Sequence, residues 1–200
     1  MILTLLFTFH ILLLMMTWSL LITMNTHPGE IPLYWGFYIG DDDSKKKRYC
    51  LICNAFKPER SHHCSVCNIC VLNMDHHCPW VDNCIGFYNR KYFMQLLFYV
   101  SLLTLYIDAS LAYDLFLILK EVFTERLKYE KMWSTFIFVL SYGVNFTLSI
   151  LITLFLKFHV KLIFDNSTTI ESLDKEKIKE NKKVKKTFNI LFFIFYFHLV

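Results

Sequence analysis

The sequence predicts an α-helical integral membrane protein with three transmembrane helices and a small, cytosolic, zinc-bound cysteine-rich domain. Three observations predict it. Hydrophobic residues make up 55% of the 200 and aromatic residues 18%, with only 5 Gly and 4 Pro, and they gather into blocks rather than spreading evenly. All seven cysteines fall between Cys50 and Cys84. The basic residues crowd the segments that flank the blocks on one side.

The blocks come first. Residues 1–24 carry no charge, residues 92–119 carry only Asp108 and Asp114, and residues 132–156 carry none. Each reaches the roughly 20 apolar residues that a spanning helix needs. A cleaved signal peptide is the rival for residues 1–24. That stretch lacks a basic n-region, and its apolar run exceeds the roughly 7–15 residues of a signal, so a retained helix is expected.

Three spans put the segment 25–91 and the tail 157–200 on one side. The first holds eight Lys/Arg and the tail nine, against four in the loop 120–131. The positive-inside rule makes 25–91 and the tail cytosolic and 120–131 lumenal or extracellular. The net charge of +4 comes largely from these flanks and suits acidic lipid headgroups. It does not suit nucleic acid, because no basic face stands apart from the membrane edges. Asp108 is costly in lipid and should face other helices or a cavity, and Asn145 should bond between helices.

A linker, 25–49, leads to the cysteine-rich domain, 50–91. Cytosolic thiols stay reduced, so these cysteines read as metal ligands or catalytic groups rather than disulfides. Cys50/Cys53 and Cys64/Cys67 are CxxC pairs, the spacing of a tetrahedral zinc site, with Cys70, Cys78, Cys84, His63 and His77 as further donors. Two closed sites need eight ligands and nine candidates are present. Counting therefore leaves one cysteine spare without saying which. Asp75-His76-His77-Cys78 offers a use for a spare thiol, since an imidazole can take its proton and a carboxylate can orient the imidazole.

Residues 50–93 resemble the cysteine-rich domain of the DHHC protein S-acyltransferases, or palmitoyltransferases. The likeness rests on Lys57-Pro58-Glu59-Arg60, His63-Cys64, Cys67, Cys70, Asp75-His76-His77-Cys78-Pro79-Trp80, Asn83-Cys84, Gly86, Asn89 and Phe93. A second family element, TTxE, reads Thr168-Thr169-Ile170-Glu171. The resemblance implies one zinc on Cys50, Cys53, His63 and Cys70, and another on Cys64, Cys67, His77 and Cys84. Cys78 is then the free nucleophile, His76 the base and Asp75 its orienter. It implies two-step transfer of a palmitoyl group from acyl-CoA, through an acyl-enzyme on Cys78, to cytosolic cysteines of membrane-associated substrate proteins. The expected setting is the Golgi, the endoplasmic reticulum or the plasma membrane.

Arg48, Lys57 and Arg60 are the candidate contacts for the CoA phosphates, and Thr168 and Thr169 are expected to tie the tail to the catalytic loop by hydrogen bonds. The chain also departs from the family. The family usually has four spanning helices and this sequence has three, so residues 1–24 align with the family's second and the first is expected to be missing. The family's Asp-Pro-Gly reads His27-Pro28-Gly29, and Asp82 stands where Asn is usual. Two other readings stay open: a membrane-anchored zinc module that binds proteins, and an inactive acyltransferase-like chain.

Overall fold

The computed structural model describes residues 2–32, 35, 48–124 and 128–173. Most of the linker and the tail 174–200 lie outside the described residues. Among the described residues, three helices are long and apolar enough to cross a membrane: α1 (Ile2–Asn25), α2 (Arg90–Phe123) and α3 (Met132–Phe164), the last preceded by a 3₁₀ turn at Tyr129–Lys131. The 24 residues of α1 span about 36 Å, enough for a hydrocarbon core of roughly 30 Å.

The chain divides into two compact units. One comprises residues 1–18 and 95–157, and its described residues are helical apart from Thr124 and Lys128. Apolar packing gives little net drive between helices in lipid, so polar hooks specify the contacts. Tyr106 Oη donates to the Leu5 carbonyl at 2.9 Å, and the Ser101 and Thr153 hydroxyls meet at 2.8 Å. Asn145 Nδ2 donates to Asp108 Oδ1 at 2.6 Å and to the Thr104 carbonyl at 3.2 Å. The costly Asp108 is thus turned inward, with an amide on its carboxylate.

The other unit, residues 19–94 and 158–200, holds the cysteines. Three antiparallel hairpins follow one another: β1 (Tyr49–Cys50) with β2 (Ala55–Phe56), β3 (His62–Cys64) with β4 (Ile69–Val71), and β5 (His76–Cys78) with β6 (Asn83–Ile85). Each closes through a tight turn whose last residue adopts the left-handed conformation: Asn54 (φ 48), Asn68 (φ 55) and Asp82 (φ 46). Asn and Asp tolerate that conformation better than other non-Gly residues. Asp82 therefore satisfies the turn as Asn would.

The hairpins repeat every fourteen residues. Cys50, Cys64 and Cys78 are equivalent, as are Asn54, Asn68 and Asp82. The second knuckle position reads Cys53, Cys67 and then Val81. In the third hairpin a 3₁₀ turn, Pro79–Val81, replaces the knuckle.

Side-chain amides seat this unit on the end of α1. Asn83 Nδ2 donates to the carbonyls of Thr23, Met24 and Thr26 at 2.9–3.2 Å, which fills the acceptors left open at a helix C-terminus. Asn89 accepts from Gly86 N–H at 2.9 Å and donates to the Cys84 carbonyl at 2.8 Å. His27 Nδ1 accepts from Gly29 N–H at 3.2 Å, the i to i+2 bond that an Asp makes in an Asx-turn.

α3 continues to Phe164, eight residues past the end expected from composition. Apolarity marks where a span can stop, but capping decides where a helix stops. Here Ser167 N–H bonds the Leu162 carbonyl, Asn166 N–H bonds the Ile163 carbonyl, and Asn166 is left-handed (φ 44). That is a Schellman end with Asn at its left-handed position. The next helix, α4 (Thr169–Leu173), starts at once. Thr168 Oγ1 accepts from Glu171 N–H at 3.3 Å while Glu171 Oε2 accepts from Thr168 N–H at 2.8 Å. TTxE is thus a capping box, and Ile170 packs into the core around Val71, Met74 and Cys84.

Candidate active site and metal centres

Strand alternation sorts the side chains. Neighbouring residues of a strand point to opposite faces, so β3 sends His63 one way and Cys64 the other. His63 lies across from Cys70 in register, and these two meet Cys50 and Cys53 from the first hairpin. Cys64 and Cys67 meet His77 and Cys84, which are cross-strand partners in the third hairpin. The second hairpin therefore lends one face to each cluster.

In each cluster the four ligand atoms lie within 4.8 Å of one another. His63 Nδ1 is 3.3 Å from Cys53 Sγ and 3.8 Å from Cys70 Sγ. His77 Nδ1 is 3.4 Å from Cys67 Sγ and 3.7 Å from Cys84 Sγ, and those two sulfurs are 3.5 Å apart. Zn–S bonds of ~2.3 Å in a tetrahedron put ligands about 3.8 Å apart, so both sets fit. Burial and the neighbouring thiols push Cys70 up to about 12 and raise Cys84 as well. Crowded thiols resist losing their protons together unless a cation sits among them. Both clusters can hold a metal ion, and three sulfurs with one imidazole are the donor set of a structural zinc.

Cys78 belongs to neither cluster. It shares its strand face with His76, away from His77, and is 5% exposed. The His76 side chain and the backbone of Trp80 and Val81 act on its sulfur in the direction that favours the thiolate. Burial alone would raise the thiol, but these partners outweigh it and lower Cys78 below the ordinary thiol value of 9.0.

Asp75 organises the rest and is 0% exposed. Its Oδ2 accepts from His76 Nδ1 at 2.8 Å and from Thr169 Oγ1 at 2.7 Å, and its Oδ1 accepts from Thr169 N–H at 3.0 Å. Arg90 Nη2 lies 3.5 Å from Oδ1 and donates to the Ser167 carbonyl at 2.8 Å. Burial would raise this carboxyl, but His76, Arg90 and Thr169 together hold it well below the usual carboxylate range. Burial likewise disfavours a charged His76, yet the hydrogen bond to Asp75 and the influence of the Cys78 thiol raise it to about 9. With Nδ1–H on Asp75, Nε2 is the nitrogen left to take a proton.

Of the three basic residues expected near CoA, Arg48 and Lys57 flank the mouth of the first hairpin, where Lys57 N–H bonds the Arg48 carbonyl at 2.7 Å. Arg60 is engaged elsewhere. Its guanidinium donates to both carboxylate oxygens of Glu171 at 2.6 and 2.8 Å, and to the side chain and carbonyl of Asn166. Arg60 is left-handed (φ 63), and its guanidinium pulls Glu171 below its ordinary value against the burial that would raise it.

Sequence reasoning overlooked two residues at the site. From the sequence Arg90 is only one of the eight Lys/Arg of 25–91. His159, on α3, was not singled out, and its Nδ1 lies 3.8 Å from Asp75 Oδ2. Its one sequence signal is a polar residue near the end of an apolar helix.

A family model described as DHHC palmitoyltransferase matches residues 43–176. "Probable protein S-acyltransferase 13" of Arabidopsis thaliana is 38% identical over 193 residues, which cover 85% of this chain and 61% of that protein. "Probable protein S-acyltransferase 12" of the same plant is 34% identical over 185 residues, 84% of this chain and 61% of that protein. "Palmitoyltransferase ZDHHC20" of Bos taurus is 45% identical over 130 residues, 64% and 34%. The chain thus spans about three fifths of the length of the plant relatives it matches.

Proposed function

Because the chain belongs to the DHHC palmitoyltransferase family, we propose that it is a protein S-acyltransferase with Cys78 as its nucleophile. The observation that supports this best is a buried thiol outside both metal clusters, on the same strand face as an imidazole that Asp75 orients. A protein-binding zinc module would need no such thiol.

In the proposed reaction Cys78 gives its proton to His76 Nε2, and Asp75 stabilises the imidazolium. The thiolate attacks the carbonyl carbon of a fatty acyl-CoA thioester. The tetrahedral adduct collapses, the C–S bond to CoA breaks, and His76 returns the proton to the departing sulfur. A substrate cysteine then gives its proton to His76, its thiolate attacks the acyl-Cys78 thioester, the C–S bond to Cys78 breaks, and Cys78 takes that proton back from His76. One thioester is exchanged for another in each step, so no further co-reactant is needed.

Two zinc ions, one on Cys50, Cys53, His63 and Cys70 and one on Cys64, Cys67, His77 and Cys84, would fold the hairpins and stay out of the chemistry. Arg48 and Lys57 remain candidates for the CoA phosphates. Arg60 is not carried forward in that role, since each of its guanidinium nitrogens already has a partner within the chain.

The clustering of Lys and Arg on 25–91 and the tail favours a cytosolic site on an endomembrane or the plasma membrane, facing membrane-associated proteins with cytosolic cysteines. Burial of the fatty chain contributes about 0.8 kcal/mol per CH₂, which suits a site at the bilayer edge.

The test is incubation of the purified chain with labelled palmitoyl-CoA. Hydroxylamine-labile label is expected on wild type and none on Cys78→Ser. Unlabelled wild type would sink the reading, and label persisting on Cys78→Ser would move the nucleophile elsewhere.

A further inference from the structure

His159 is a polar residue that the reaction above does not use, yet it is only 1% exposed. Its ring stands 5.8 Å from that of His76, and Phe93 closes a triangle with both, 5.2 Å from His76 and 5.3 Å from His159. Each ring comes from a different element: β5, α2 and α3. His76 itself sits on a three-residue strand, too short to hold a side chain by backbone pairing alone. The rings of Phe93 and His159 wall it in. A phenyl group at 159 would wall it equally well. What the imidazole adds is a polar edge, with Nδ1 3.8 Å from Asp75 Oδ2. That separation is beyond a hydrogen bond but within electrostatic reach.

One rival use must be weighed. Asp75, His76 and His159 bring ligand atoms within 4.8 Å of one another, the composition of a third metal site. The carboxylate is already spent, however. Its Oδ2 accepts from His76 and Thr169, and its Oδ1 from Thr169 N–H. A cation there would have to displace these donors from a group with no exposed surface.

We infer that His159 is a positioning residue for the Asp75–His76 pair, an inference that rests on the acyltransferase reading. Its ring blocks rotation of His76 away from Cys78, and its nitrogen edge holds the Asp75 carboxylate in line with His76. Substrate and acyl-CoA do not touch it.

The experiment compares wild type, His159→Phe and His159→Gln as full chains in detergent, each checked for metal content. Two rates are measured: single-turnover acylation of Cys78 against acyl-CoA concentration, and alkylation of Cys78 by iodoacetamide. His159→Phe is expected to lower the maximal acylation rate about tenfold, less than the ~100-fold of a 1 Å misplacement. The half-saturating acyl-CoA concentration should stay within about twofold, and His159→Gln should recover at least about a third of the wild-type rate. Alkylation should slow in parallel, and all three chains should bind two metal ions rather than three. Wild-type rates in His159→Phe, or a glutamine variant no better than phenylalanine, would overturn the inference. If His159→Phe loses metal, His159→Leu takes its place in the comparison. A wild type that accepts no acyl label breaks the acyltransferase reading instead, and the alkylation rates still decide the role of His159.

Discussion

The second and third hairpins begin with the same tripeptide. His62-His63-Cys64 pairs with Ile69-Cys70-Val71, and His76-His77-Cys78 pairs with Asn83-Cys84-Ile85, in the same register. Yet the second hairpin commits both faces to metal clusters, while the third commits only the face of His77 and Cys84. Two of the differences between the fourteen-residue repeats account for this. Val81 replaces the second knuckle cysteine, so Cys78 lacks the partner that Cys64 has in Cys67. Asp75 replaces Ser61, which gives the adjoining imidazole a buried carboxylate. The lesson is that a metal-binding hairpin becomes a candidate active site by losing one ligand and gaining one acid.

The largest effect should come from removing the equivalent sulfurs. Cys64→Ser takes a ligand from a cluster whose metal affinity, about 10–16 kcal/mol for a structural zinc, is folding free energy. It should fall below two zinc ions per chain and lose cooperative unfolding. Cys78→Ser should keep two zinc ions and its melting temperature while taking no acyl label. Metal analysis by mass spectrometry with a thermal melt separates the two outcomes. Equal metal loss in both variants would erase the distinction between the hairpins.

The next effect isolates the acid. Asp75→Asn keeps the shape but favours the wrong tautomer of His76, and should slow acylation by about 100- to 1,000-fold. It also changes the pH response. Cys78 alkylation in wild type should rise with a midpoint below 9.0, and the substitution should return that midpoint toward 9.0, because His76 no longer supports the thiolate. The linkage runs in a fixed direction. His76 is raised from 6.5 to about 9 in the folded chain, so its contribution to stability is complete below pH 6.5 and lost as pH rises through about 9. Asp75→Asn should therefore destabilise most near pH 6 and least near pH 9.5. A stability difference that grows with pH would contradict the assignment.

The charge-poor apolar blocks located the three long helices among the described residues, because an apolar run of that length has few other uses. They could not show where α3 ends, since Asn166 and the capping box of Thr168 and Glu171 set that point, and neither is a matter of apolarity. Clustering of the cysteines pointed to metal sites, and the structure brings eight of the nine candidate ligands into two groups that could each hold an ion. Cys78 itself was named through family likeness, although the repeat that sets Val81 against Cys53 and Cys67 was present in the sequence throughout. What no local pattern carries is distance across the chain. Glu171 meets Arg60 from 111 residues away, and His159 reaches Asp75 only because α3 runs past its apolar stretch. Arg60 looked like a phosphate ligand for want of sight of Glu171.

The smallest effect sharpens how the two hairpins are joined. Gly86 follows β6 where Leu72 follows β4 in the repeat. A Cβ at Gly86 would lie 2.5 Å from Val71 Cγ1, 2.6 Å from the Pro28 carbonyl oxygen and 3.1 Å from that of Leu72. The third hairpin therefore rests directly on the end of the second and on the segment that leaves α1, with no room for a methyl group. Gly86→Ala should cost about 1–3 kcal/mol by overpacking, seen as a lower melting temperature. The acylation rate per folded chain should fall less than in Asp75→Asn, because Asp75 and His76 keep their partners. Adding Val71→Ala should recover only part of the stability, since the valine methyl yields but the Pro28 carbonyl does not. Additive losses in the double variant would mean that the two positions do not share one contact, and the third hairpin would then be seated by Asn83 and Asn89 alone.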